Sequence, residues 1–293
     1  MPASQDPHMI FDTLIAADEL ATAQKSPSPP LVLDCSFELN DLQAGQRVYD
    51  AGHIPGAHYL HLEHALSAPK TGRNGRHPLP SRETFAATMA ALGLNTHTQV
   101  VACDNAGGMY AARLWWMLRW AGHRAVAVLD GGVASWVARG HALSTHTPAA
   151  LPPGNFVLRP PLVTTVSFDD VKANIDQPQR LVVDARAPDR FRGENETMDP
   201  IGGHIPGARN RLFKDNLGPD GRFKSATQLR QEFDAITGGR PASQLINQCG
   251  SGVTACHNLL ALEVAGLQGA ALYPGSWSEW SAQAGAPIAT GAA

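Results

Sequence analysis

No Cys-x-x-Cys pair occurs in the chain, and its four cysteines, Cys35, Cys103, Cys249 and Cys256, are spread over 293 residues. That spacing excludes a zinc ribbon or a thioredoxin-type motif. So few cysteines in so long a chain do not make a disulfide scaffold either. Long hydrophobic runs are missing: nothing approaches the roughly eighteen apolar residues in a row that a membrane span requires. Charged residues are scarce, at 17%, and nearly balanced, with a formal net charge of -3, so no nucleic-acid partner is expected. The first twenty residues carry no basic stretch, no long apolar run and several acids, so neither a secretory signal nor an Arg-rich transit peptide is expected. A cytoplasmic setting, in which thiols stay reduced, is the default. The twelve histidines are scattered and form no metal-binding tract.

What the chain does contain is a repeat. Leu31–Ser36, LVLDCS, returns as LVVDAR at 181–186; AGHIPGAH at 51–58 returns as GGHIPGAR at 202–209; LDGGVASW at 129–136 returns more loosely as YPGSWSEW at 273–280. Two copies in the same order, in a chain that is 43% hydrophobic, imply two domains of one fold with real cores. Residues 144–162, rich in Pro, Thr and Ala and without periodicity, read as a linker. The expected domains are therefore 1–147 and 160–293. Short β-branched runs (LVLD, QVVAC, AVAVLD; LVVD, SQLINQC, AALY) alternate with helical patterns such as RETFAATMAALG, MYAARLWWMLRWAG, ATQLRQEFDAITG and ACHNLLALEVAG. That alternation predicts an α/β fold, each domain a mostly parallel sheet flanked by helices. Ligands of such sheets bind beyond the carboxyl ends of the strands.

Cys249 stands at that position, between SQLINQ and the loop Gly250-Ser251-Gly252-Val253-Thr254 that opens a helix. Two glycines let successive amides converge into an anion-binding nest, and the helix N-terminus adds its free N–H groups. A thiol facing such a concavity favours the thiolate, with Ser251 and Thr254 offering hydroxyls to the same place. The bland alternative is a buried cysteine before an ordinary turn. The strand–Cys–Gly-loop–helix order argues for chemistry instead. A phosphatase loop would need an arginine six residues after the cysteine to grip phosphate. That position is Ala255, which leaves a shorter loop suited to a persulfide.

Four motifs together, HIPGA in both halves, DAR…RFRG at 184–193, CGSGVTACH at 249–257 and GSWSEW at 275–280, resemble the tandem-domain rhodanese family of thiosulfate and 3-mercaptopyruvate sulfurtransferases. The resemblance covers nearly the whole chain. It implies two rhodanese-like domains, the first inactive and the second catalytic, with the site in the cleft between them. It makes Cys249 the nucleophile and Arg190 the residue that holds the donor's anionic group. It places Asp104 where the first half would otherwise carry a cysteine. The loop CGSGVT is similar to the mercaptopyruvate type, in which a first-domain histidine joins the loop serine and an acid. Ser251 fits the serine, His53 is the histidine considered and Asp41 the acid. Two departures stand out. The second substrate arginine of mercaptopyruvate enzymes is absent from ENETMDPIG at 194–202, with Arg209 and Arg211 as the nearest substitutes. The second DG before the last tryptophan is Pro274-Gly275.

The remaining residues divide between structure and chemistry. His53 and His204 sit in Pro-Gly turns that a histidine can simply brace. An Asp184–Arg186 pair at a strand end reads as a loop brace, and is otherwise a further part of the site. Trp115, Trp116 and Trp120 read as core and domain-interface packing, Phe37 as a residue facing the cleft, and Cys35, Cys103 and Cys256 as packed thiols. The implied reaction moves a sulfane sulfur from 3-mercaptopyruvate or thiosulfate to Cys249 and on to cyanide or a thiol such as reduced thioredoxin. Gly250, Gly252, Val253 and Thr254 would cradle the anion, and no metal or organic cofactor is needed. The alternatives are a persulfide carrier without turnover of small donors, and a phosphatase or arsenate reductase of the same fold.

Overall fold

In the computed structural model, which describes residues 10–292, the chain builds two five-stranded sheets. The first holds β1 (Leu14–Ile15), β2 (Leu31–Asp34), β3 (His58–Tyr59), β4 (Val100–Cys103) and β5 (Val126–Leu129). The second holds β6 (Thr164–Thr165), β7 (Leu181–Asp184), β8 (Arg209–Asn210), β9 (Leu245–Gln248) and β10 (Ala271–Leu272). Their orders, β1-β5-β4-β2-β3 and β6-β10-β9-β7-β8, are the same order twice, and every pairing is parallel. The sequence repeat is thus a repeat of topology. The central strands β4 and β9 are buried along their whole length, β4 as a continuous apolar run and β9 with Asn247 and Gln248 at its carboxyl end.

Helices cover both faces. In the first half they are α1 (Ala17–Ala23), α2 (Ala44–Ala51), α3 (Leu62–Ala65), α4 (Arg82–Ala91), α5 (Ala111–Trp120) and α6 (Gly132–Ala138). In the second they are α7 (Phe168–Asp176), α8 (Pro188–Arg192), α9 (Ala226–Thr237), α10 (Thr254–Val264) and α11 (Ser276–Trp280). Helix α9 shows how local sequence sets the ends. Ser225 accepts the Gln228 N–H at its start, and Gly238 closes it in the left-handed region at φ 66°.

Helices α5 and α10 are apolar nearly all round, which suits only a helix enclosed on every side. Each buries eight consecutive residues, Ala111–Leu118 and Ala255–Leu262. They pack against each other, and one continuous core draws side chains from both halves, while each half keeps a smaller core of its own on its outer face. Trp115 and Trp116 are fully buried in the shared core and Trp120 stacks on Trp116 at its edge. The stretch between the sheets is not loose. Phe156 is buried, and residues 154, 156, 159 and 162 donate backbone hydrogen bonds to Ala90, Leu94, Ala121 and Arg119. The linker is strapped across the first half.

His257 on α10 closes the interface with polar bonds. Its Nε2 lies 3.0 Å from the Gly107 carbonyl of the first half, its Nδ1 lies 3.2 Å from the Asn216 amide nitrogen, and its ring stacks on Phe223. Those contacts suit a neutral ring that donates from Nε2 and accepts at Nδ1. Burial lowers its pKa from 6.5 to about 4. The unfolded chain therefore binds a proton that the folded chain refuses between those values, so stability is full above pH 6.5 and falls as pH drops towards 4. Urea midpoints at pH 7 and pH 5 should differ by the equivalent of about 2 kcal/mol from this residue. The His257→Asn variant should be weaker at pH 7 but flatter between the two; an equally steep dependence would refute the assignment.

Candidate active site

Strand β9 delivers Cys249 to the carboxyl edge of the second sheet, and α11 holds the loop that follows. The Cys249 N–H donates to Ser276 Oγ at 3.1 Å, and the Cys249 and Gly250 carbonyls accept from the Trp277 and Ser278 amides, each at 2.9 Å. Gly252 lies at φ 76°, where a Cβ would meet the Pro274 carbonyl oxygen at 2.4 Å, so only glycine fits. From there its N–H donates to Cys249 Sγ at 3.1 Å. Ser276 is itself held at φ 54°, the same bend that Gly132 makes at φ 57° in the first half.

The first half contains the equivalent nest, already filled. Asp104 follows β4 as Cys249 follows β9, and its buried carboxylate accepts four N–H groups. Those of Ala106 and Gly108 lie at 2.8 Å, and those of Tyr110 and Ala111 at 2.9 Å. A strand end that gathers amides around an anion is thus built twice, once around a permanent carboxylate and once around a sulfur. The other thiols are kept from ionising: burial pushes Cys256 up to about 12 and holds Cys35 and Cys103 well above an ordinary thiol.

The partner of Ser251 comes from the first half and is not His53. His77 Nδ1 lies 2.7 Å from Ser251 Oγ, while its Nε2 lies 3.9 Å from Glu63 Oε1. The Glu63 carboxylate favours the proton on Nε2, leaving Nδ1 to accept from the serine hydroxyl. Burial, and after it the charges of Arg113, Arg76 and Lys70, lowers the His77 pKa to about 3, so the ring is neutral across physiological pH. His53 is instead stacked on Tyr49 with centroids 3.9 Å apart, its Nδ1 2.8 Å from the Tyr49 carbonyl oxygen. His204 repeats that arrangement on Phe191. Both histidines brace their Pro-Gly turns and neither reaches the loop. Asp41 pairs with Arg47 at the exposed surface, and Glu63 stands where an acid was sought.

Beneath the loop lies Arg113 of α5, fully buried and with no carboxylate in ion-pair range among the described residues. Its guanidinium donates to the Gly252, His77 and Leu66 carbonyls at 2.9, 3.1 and 3.3 Å. It therefore ties the residue that bonds Sγ to the residue that bonds Ser251.

Cys249 is only 1% exposed, yet it lines a cleft of about 350 Å³ between the halves. Gly250, Ser251, Val253 and Thr254 line it too, whereas Gly252 lies below with its N–H on the sulfur. The first half contributes Leu39, Arg76, His77, Met109 and Tyr110. Phe37 does not reach the cleft: it is buried behind Tyr110, edge-on at 5.5 Å. Arg190 faces the cleft and is paired at 2.8 Å with Glu196 and 3.2 Å with Asp199. Arg186 lines it as well, but its guanidinium is committed to buried Asp184 at 2.7 Å, to the Gly203 carbonyl at 2.6 Å and to the Trp277 ring. Asp184 is turned into that pair and not towards the cysteine. Neither suggested substitute for the second arginine is here. Arg209 lies in a different surface groove, and Arg211 is buried against Asn216, Glu232 and the Phe233 ring.

Sequence reasoning missed Arg76, His77, Glu63, Arg113 and Ser276. Four of the five belong to the half without Cys249, and only folding brings them to the loop. One local signal was available. Gly75-Arg76-His77 is echoed by Gly221-Arg222-Phe223, with the two glycines at φ 83° and 75°, so a histidine stands in one copy where the other carries phenylalanine.

Comparison with known proteins agrees with the fold. The profile of the rhodanese-like domain matches residues 16–139 and again 167–283. A probable 3-mercaptopyruvate sulfurtransferase of Pseudomonas aeruginosa is 49% identical over 280 residues, covering 95% of this chain and 98% of the relative. The human 3-mercaptopyruvate sulfurtransferase is 37% identical, covering 91% of each chain, and the thiosulfate sulfurtransferase of Cricetulus griseus is 35% identical, covering 94% of each. The crystal structure of a 3-mercaptopyruvate sulfotransferase from Escherichia coli superposes with a TM-score of 0.78 at 31% identity, over 91% of this chain and 99% of that one. With both halves matched by that profile and the whole chain aligned with sulfurtransferases, this chain belongs to the rhodanese family and is a tandem-domain sulfurtransferase.

Proposed function

We propose that this sulfurtransferase takes its sulfur from 3-mercaptopyruvate, stores it as a persulfide on Cys249 and passes it to a thiol or to cyanide. The 2.7 Å contact between Ser251 and neutral His77, beside the cysteine, carries the reading. Thiosulfate departs as sulfite, a stable anion that needs no help from a hydroxyl. Mercaptopyruvate departs with an electron pair on carbon, delocalised onto its keto oxygen, and that oxygen calls for a hydrogen-bond donor as charge develops.

The Cys249 thiolate attacks the donor sulfur, the Sγ–S bond forms and the donor's C–S bond breaks. The electron pair passes through the enolate to the methylene carbon, which takes up the proton of the donor thiol, and pyruvate leaves. The negative charge stays on the outer sulfur of the persulfide, within reach of the loop amides. As charge develops on the keto oxygen, the Ser251 hydroxyl turns its one proton from His77 Nδ1, which has held it in position, to that oxygen, and Arg190 binds the carboxylate. An acceptor then attacks the outer sulfur and returns the electron pair to Sγ, so ping-pong kinetics follow. Every step is a sulfur displacement or a proton shift, and none calls for a metal or an organic cofactor. The halves are read as 1–147, supporting, and 160–293, catalytic. A reducing cytoplasm, with small thiols or reduced thioredoxin as acceptor, completes the proposal. Ala255, buried at the position of a phosphate-gripping arginine, disfavours phosphatase or arsenate-reductase chemistry.

Intact mass after incubation with 3-mercaptopyruvate should show one added sulfur in the wild type and none in Cys249→Ser. Turnover with excess cyanide separates an enzyme from a stoichiometric carrier. A Cys249→Ser protein that still transfers sulfur would end the proposal.

Replacing His77 by Gln should lower kcat with 3-mercaptopyruvate by about tenfold to a hundredfold and change kcat with thiosulfate far less. Because the ring is neutral well below pH 5, the shape of the pH profile between 5 and 8 should be the same in both proteins. Equal losses with both donors would reduce His77 to a packing role.

A further inference from the structure

Resting on that reading, we propose that Arg76, a residue of the non-catalytic half, is the second cation that grips the donor's carboxylate, opposite Arg190. The two guanidiniums converge on one point. From the position a Cβ on Gly250 would occupy, Arg76 Nη2 is 3.0 Å away and Arg190 Nη1 and Nη2 are each 3.8 Å away. Gly250 has no side chain, so both guanidiniums approach the loop next to Cys249, and all four residues line the same cleft. The donors that face it have capacity left. Arg76 spends Nη1 on Asp199 at 2.7 Å and the Met198 carbonyl at 3.3 Å, while Nη2 has only a 3.5 Å contact to Asp199. Arg190 spends Nε and Nη2 on Glu196 and Asp199, and its Nη1 has no hydrogen bond among the described residues. A planar carboxylate placed over Gly250 would take one N–H from each arginine, as charge-assisted bonds at low exposure. Asp199, 3% exposed in its side chain, lies between the arginines and offsets their repulsion.

The repeat explains why Arg76 is free to do this. Its twin, Arg222, reaches across the interface to the turn before α6 and pairs with Asp130 at 3.1 Å, and the next residue, Phe223, donates its N–H to the same carboxylate. In the second half that turn carries Pro274 in place of the acid, with Ser276 at the backbone bend of Gly132. The Arg76 backbone still docks on the turn, its N–H on Ser278 Oγ at 2.9 Å. The guanidinium, with no acid at the turn to hold it, lies in the cleft. The segment that brings His77 to Ser251 thus brings a cation to the same loop. The donor site is completed across the domain interface, and the ligand it takes is a small α-keto carboxylate.

Pyruvate binding, measured by isothermal titration calorimetry on wild type, Arg76→Ala, Arg76→Lys and Asp199→Asn, tests this alongside steady-state kinetics with 3-mercaptopyruvate. Arg76→Ala should weaken pyruvate binding and raise KM by about tenfold to a hundredfold, with a smaller change in kcat. Arg76→Lys should recover part of the loss. Asp199→Asn, which removes the competing anion and leaves the guanidinium, should tighten binding. Unchanged pyruvate affinity in a folded Arg76→Ala protein overturns the proposal, and so does an Asp199→Asn loss as large as that of Arg76→Ala, which would make the arginine only half of an interdomain ion pair. If wild type forms no persulfide while its pyruvate affinity still depends on Arg76, the sulfur-transfer reading fails and the carboxylate grip stands.

Discussion

The site depends on the burial of α5 against α10. Two helices with no polar face have to enclose each other, and doing so fixes the two sheets in one relative position. Cys249, Ser251 and Arg190 come from one side of that contact, and Arg76, His77, Glu63 and Arg113 from the other. Neither half alone carries all the side chains that line the cleft. The apolar contact costs no specificity, because polar groups at its edge fix the register. His257 bonds Gly107, Arg113 bonds Gly252, and Arg119 pairs with Glu263 at 3.5 Å. Each crosses the interface and each would be lost by a shift of the helices.

The two nests show what the fold does with an anion at a strand end. In the first half four amides close on the Asp104 oxygens, and the loop from 105 to 110 is spent on that closure. A carboxylate so held is fully satisfied and has nothing left for chemistry. In the second half the sulfur takes the Gly252 N–H, and the loop leaves Gly250 and Ser251 facing the cleft. Arg113 marks a second difference: its guanidinium, buried beneath the loop, bonds the Gly252 carbonyl and lies beside the Cys256 thiol. The two nests thus hold different groups, a carboxylate in one half and a sulfur in the other, and the half with the carboxylate brings Arg76 and His77 to the cleft beside the sulfur.

The sequence made the architecture readable because the repeat appears twice in the same order and the strands are short β-branched runs ending at an acid or a cysteine. Helices α4, α5, α9 and α10 fall on the apolar patterns that predict them. Cys249 was readable as a candidate for a local reason: strand end, cysteine, glycines and helix start are adjacent in sequence. The partner of Ser251 was harder to read: the echo of Gly75-Arg76-His77 in Gly221-Arg222-Phe223 marks the histidine but not what it meets, and its contact follows from 174 residues of chain brought back to within 2.7 Å. His53 drew attention through its motif, yet a ring that stacks on Tyr49 and bonds a carbonyl is explained by its turn alone. Arg186 was readable as a brace, since the strand-end pairing with Asp184 is local. The linker's pattern gave no hint of its strap, because a single buried Phe156 and a few backbone bonds need no periodicity.

The departures from the repeat carry more functional information than the repeat itself. Where the copies agree, as in the histidines stacked on Tyr49 and Phe191, the shared residues hold the fold. Where they differ, the difference falls on the cleft. Asp104 against Cys249 decides which nest holds a carboxylate and which a sulfur. Phe223 against His77 decides which one has a neutral base beside a serine: the phenylalanine only stacks on His257, whereas the histidine holds Ser251. Asp130 against Pro274 decides which arginine is tied down, for Arg222 is held at its turn and Arg76 is not. Each change removes a structural commitment from one copy and leaves a side chain with unspent bonding capacity facing the same 350 Å³. A duplicated domain in which one copy keeps its internal pairings while the other gives them up has the rigidity to hold a reactive group and the free valence to use it.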